Sequence, residues 1–157
     1  MLSVAISAGL GAAVLVVAFD VTFAAHLPVV ETGEVSLATR YLASIYGAVN
    51  EELMLRFGLL TLVVWAASKI MRATNEVPTR VLWAATVIAA VAFGASHLPA
   101  MATLVELTPL VVLRTVGLNA LMGTVFGWLY WSRGLGAAII AHLAADLVIQ
   151  TAAWWIA

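Results

Sequence analysis

Residues 41–68 read YLASIYGAVNEELMLRFGLLTLVVWAAS. The stretch is mostly apolar and exceeds the roughly 20 residues that a helix needs to cross a bilayer. It nevertheless carries Glu51, Glu52 and Arg56 near its middle. An ionised residue at the centre of a span costs about 2.5–3.5 kcal/mol, while each Leu or Val returns only a few tenths. Three such charges cost on the order of 8 kcal/mol before any pairing. Glu52 and Arg56 stand four apart with the Glu first, the favourable order for a helical ion pair. Glu51 lies about 100° round the helix from Glu52. It therefore needs a partner on another helix, a proton or a metal.

Four further segments are apolar enough to span. The expected set of about five runs 2–19, 41–68, 81–97, 108–131 and 135–157. Pro28, Glu31, Gly33 and Glu34 punctuate the first loop, and Asn75, Glu76 and Pro78 the second. Pro99 and Pro109 bracket the third, and Ser132-Arg133-Gly134 makes a tight fourth. The stretch 28–40 is expected to form a short interfacial helix, and 2–19 to be a retained helix rather than a leader, because it lacks a basic n-region. The spacing Gly123-xxx-Gly127 and the alanines at 137, 138, 141, 144 and 145 predict close helix packing in lipid.

Composition agrees with this reading. Of 157 residues 64% are hydrophobic and 10% charged, against about half and a quarter in soluble domains. The mean hydropathy is +1.10. The fold class is therefore all-α, a polytopic transmembrane helix bundle, with residues 1–157 forming one integral-membrane domain. A net charge of −1 without a basic tail gives no sign of nucleic-acid binding, and the lack of cysteine excludes disulfides and thiolate metal sites. Lys69, Arg72 and Arg80 share one loop and Arg133 lies in another on the same side. The positive-inside rule makes that side cytoplasmic, with the N-terminus inside.

Two more spans carry chemistry. The third ends Phe93-Gly94-Ala95-Ser96-His97, and the last holds His142 and Asp146 four apart on one face. Asp146 can accept a proton from one imidazole nitrogen and so orient the other. Glu51, His97, His142 and Asp146 are the carboxylate and imidazole types that suit zinc or a similar divalent ion. Such an ion would activate water, with a spare carboxylate as general base. With these limits Glu51 and His97 lie nearer the extracytoplasmic side, and His142 about 10 Å from the other. Arg114 with Asn119 reads as interfacial or structural, and His26 is assigned no role.

The three motifs Glu51-Glu52-xxx-Arg56, Phe93-xxx-His97 and His142-xxx-Asp146, in this order on separate spans, resemble those of the CPBP family. These are the CAAX-protease and bacteriocin-processing (Abi) intramembrane endopeptidases. The likeness covers about residues 41–150. It implies a multi-pass protein of a bacterial or archaeal plasma membrane that cuts membrane-associated or prenylated peptides. Glu51 matches the family's water-activating glutamate, His97 the histidine that holds the metal or the water, and His142 the second essential histidine. Glu51, His97 and His142 are the implied metal ligands, with zinc the expected ion and Glu52 and Arg56 in support. Asp146 falls where members more often have Asn, and an ionised Asp cannot donate a hydrogen bond to an oxyanion. The chain also has fewer spans than many members, so gating helices are missing or supplied by a homo-oligomer. Two other classes fit the same residues: a catalytically silent scaffold, immunity or partner-regulating protein, and an ion or proton carrier. The lack of an inverted repeat argues against the carrier.

Overall fold

The computed structural model describes residues 2–29, 35–72 and 76–156. Glu31, Gly33, Glu34 and Asn75, read above as loop markers, lie outside them. The described residues are helical with no strand. The helices are α1 (Leu2–Phe23), α2 (Leu37–Glu52), α3 (Thr61–Ile70), α4 (Thr79–Ser96), α5 (Leu98–Ala102), α6 (Pro109–Arg133) and α7 (Leu135–Ile156). A π-helical segment, Leu53–Leu60, joins α2 to α3. Together they make five stretches long and apolar enough to cross a membrane.

Several limits differ from those read from the sequence. The first span runs on to Phe23, with a 3-10 turn to His26, and so takes Asp20 into the helix. The second runs from Leu37 to Ile70. Residues 37–40 are its first turn rather than a separate interfacial helix. Ser36 caps that turn, its Oγ accepting from the Thr39 amide at 3.2 Å. The N-terminal amides of a helix lack partners within it, so such a cap starts a helix before the apolar run begins. The third span bends at His97 and continues as α5.

α6 is central. It packs along α4 on one side and against α1 and α7 on the other, while α2 lies along α7. The alanines do what their size permits: Ala137, Ala138, Ala141 and Ala145 are fully buried against Ala5, Ala12, Ala13 and Phe126. α1 and α7 run parallel and so close that a Cβ on Gly9 would collide with the Ala141 backbone. A Cβ on Gly127 would come within 2.7 Å of Thr86 Cγ2 on α4. Small residues thus hold the helices together by contact, since lipid offers apolar side chains no reason to leave it. Leu42, Met54, Phe57, Trp65, Ile88 and Leu113 face outward, which only a lipid solvent makes tolerable. Trp83 and Trp131 stack edge to face near one end of the bundle. Trp154 and Trp155 do so at the other, the places where indoles settle at a membrane surface.

Candidate active site

Glu51 and Glu52 are neighbours in sequence with opposite surroundings. The Glu52 side chain is 0% exposed and that of Glu51 36%. Helical geometry turns one into the bundle and the other towards a cavity. Glu52 Oε2 lies 3.1 Å from Arg56 Nε, an ion pair whose N–H is not aligned for a hydrogen bond. Arg56 Nη2 donates to the Gly123 carbonyl at 3.1 Å. The guanidinium lies 5.0 Å from the Phe93 ring centre and 5.6 Å from that of Phe126. A buried cation is thus met by a carboxylate, a carbonyl and two aromatic faces, the partners that a charge needs in place of water.

The other oxygen of Glu52 accepts from His142 Nδ1 at 2.8 Å. The ring of His142 stacks on Phe126 at 4.7 Å. Glu52, not Asp146, therefore orients the imidazole. Asp146 sits on the far side, with Oδ1 3.7 Å from Nε2. The expectation that Asp146 orients His142 fails because α2 packs along α7 and brings a second carboxylate to Nδ1. A pattern within α7 alone cannot show this.

With Nδ1 committed, His142 turns Nε2 to Glu51, whose Oε2 is also 3.7 Å away. These distances exceed a direct hydrogen bond and suit one water or carbonyl oxygen between the groups. Glu51 lies about 21 Å along its helix from Leu37, and His142 about 21 Å from Ile156, at about 1.5 Å per residue. The two groups are therefore level. The offset expected from the sequence disappears because the second span begins earlier than its apolar part. His97 Nδ1 donates to the Phe93 carbonyl at 2.9 Å, since a carbonyl can only accept. That leaves Nε2 as the ring atom available to a ligand.

Glu51, His97, His142 and Asp146 line one polar cavity of about 340 Å³. Ser44, Gly47, Asn119 and Gln150 line it as well, and so do Asp20 and Arg114. Arg114 binds Asp20 through two parallel hydrogen bonds, Nε to Oδ1 at 2.8 Å and Nη2 to Oδ2 at 2.5 Å. These two form the ion pair that sequence reasoning missed, and Ser44 and Gln150 are polar lining residues that it did not name. The expected first span stopped at Phe19 and left Asp20 in a loop. Arg114 with Asn119 reads from the sequence as interfacial or structural. An unpaired Arg inside a span was the signal that a partner had to exist.

The donors facing the cavity are of types that bind zinc. Among the described residues, however, no three His, Asp or Glu side chains are grouped as a metal-holding set.

A membrane-embedded helical bundle with a carboxylate and an oriented histidine facing each other across a polar cavity has the parts of an intramembrane hydrolase. Residues 33–148 match the type II CAAX prenyl endopeptidase Rce1-like family, and the chain belongs to it. The match spans all of the motif residues from Glu51 to Asp146 and leaves Asp20 outside. No curated protein and no solved structure matches the chain.

Proposed function

We propose that this protein is an intramembrane endopeptidase that cuts membrane-associated peptides of the prenylated CAAX type, with Glu51 as general base. The observation that carries the reading is the approach of the partly exposed Glu51 carboxylate to His142 Nε2 within one polar cavity. Glu51 takes a proton from a water held between it and the histidines. The resulting hydroxide adds to the scissile carbonyl carbon. The carbonyl oxygen becomes an oxyanion, and His142, when protonated, donates to it from Nε2. A protonated Asp146 supplies a second donor there, which an ionised one cannot. As the C–N bond breaks, the proton held by Glu51 passes to the leaving nitrogen, giving an acid and an amine. Glu52 keeps the His142 ring in place throughout, and Arg56 balances the Glu52 charge.

A divalent ion bound by Glu51, His97 and His142 would lower the pKa of water and polarise the carbonyl. The test therefore has two arms. Purified protein in nanodiscs is given a fluorogenic S-farnesyl C-a-a-X peptide. Glu51→Gln and His142→Ala should each lower cleavage by about 100-fold or more, the usual scale for a general base or a donor to the oxyanion. Full activity in both variants overturns the proposal. Chelation followed by zinc addition decides the ion: loss and recovery assign it, and unchanged cleavage removes it.

A further inference from the structure

The polar cavity is long, and its two ends differ chemically. Glu51, His142 and Asp146 occupy one end. Arg114 and Asp20 occupy the other. Two helices measure the interval. On α7 the lining runs from His142 to Gln150, and on α6 from Met122 to Arg114. Each is about 12 Å at about 1.5 Å per residue. An extended peptide of three residues spans about 10 Å.

Arg114 is only partly used. Asp20 takes Nε and one N–H of Nη2. A guanidinium has five N–H donors in a rigid fork. The edge formed by Nη1 and the second N–H of Nη2 is left over, and no bond from Nη1 occurs among the described residues. That edge has the geometry for a second two-point carboxylate contact. The side chain is 29% exposed, so it borders the cavity without being sealed.

We propose that Arg114 binds the free C-terminal carboxylate of the substrate. The inference rests on the protease reading above and adds to it the residue that holds the tail. A C-a-a-X tail has three residues beyond its cysteine, and three extended residues, at about 10 Å, are of the same order as the stretches of α6 and α7 that line the cavity. Asp20 is a positioning residue: it holds the fork side-on, so the other edge is presented to the incoming carboxylate.

The test measures binding as well as cleavage. A fluorescent S-farnesyl C-a-a-X peptide is compared with the same peptide ending in an amide. Binding is read by anisotropy on the Glu51→Gln protein, where turnover does not interfere, and KM and kcat on the parent. The acid should bind about tenfold or more tighter than the amide, the scale of a charged hydrogen bond. Arg114→Gln should erase that preference by weakening the acid alone, raising KM with little change in amide binding. Asp20→Asn, which keeps the cation and one acceptor oxygen to hold the fork, should retain most of the preference. Equal binding of acid and amide by the Glu51→Gln protein, or a preference that survives when Arg114→Gln is added to it, overturns the proposal. Equal losses in Arg114→Gln and Asp20→Asn also overturn it, since they mark the ion pair as merely structural. Cleavage that survives Glu51→Gln removes Glu51 as the base instead and leaves the anchor standing.

Discussion

Glu52 is the residue on which the polar centre depends. It is sealed from solvent, pairs with Arg56 and accepts from His142. Glu52→Ala leaves a buried guanidinium without its counter-charge, a change that typically costs about 3–5 kcal/mol. It also frees His142 Nδ1. The expected outcome is a large fall in melting temperature in detergent, followed by inactivity. Glu51→Gln behaves otherwise. Its side chain opens on the cavity, so stability should change by no more than about 0.5 kcal/mol while cleavage is lost. A thermal-shift assay on both variants checks the contrast, and equal destabilisation would refute it. The cost of placing charges in a span made Glu51, Glu52, Arg56, His142 and Asp146 legible in sequence, as did the spacing of Glu52 and Arg56. What was not legible depends on the relative register of two helices. The bond from His142 to Glu52 is one case, and the pairing of Arg114 with Asp20 is another.

The elements show the same division. Their existence follows from apolar runs and breakers, and all five spans are present. Their ends do not follow, because a capped polar turn such as Leu37–Arg40 is helical without being hydrophobic. The π-helical segment that follows Glu52 was also invisible. There Thr61 Oγ1 donates to the Arg56 carbonyl five residues back, at 3.1 Å, and lies 2.8 Å from Tyr130 Oη on α6. Wide turns of this kind are frequent beside functional sites. Packing between elements rests on glycine where a Cβ has no room. Gly127→Leu forces α6 away from Thr86 on α4 and should cost about 1–3 kcal/mol, as overpacking does. Gly11→Leu is the control, because a Cβ there meets nothing within 4 Å. Unfolding in mixed detergent should separate the two variants, and equal stability would count against the contact.

At the scale of the whole molecule, the basic loops and the Arg114 end of the cavity lie apart. Lys69, Arg72, Arg80 and Arg133 gather where α3 and α6 end and α4 and α7 begin. The Arg114 end of the cavity lies at the opposite end, beside the close of α1 and the starts of α2 and α6. The positive-inside rule then directs that end away from the cytoplasm. The chain has no cysteine, so single substitutions report topology cleanly. In intact cells a membrane-impermeant maleimide should label Ser36→Cys, and should reach Ser132→Cys only after lysis. The reverse pattern would turn the molecule over. The sequence supplied the basic loops for this argument. It could not supply the cavity, which exists only once five helices are assembled.

The length of that cavity has a consequence for how turnover ends. On the proposed reaction, hydrolysis would leave a short fragment whose new amino group, once protonated, would lie among Glu51 and Asp146 while its old carboxylate still faced Arg114. The product would then be a zwitterion matched to its container at both tips, and would fit better after the cut than before it. Clearing the chamber, rather than breaking the bond, should then set the pace. Rapid mixing would show this as a burst of about one product per enzyme followed by a slower steady rate, and added free tripeptide would deepen the slowdown.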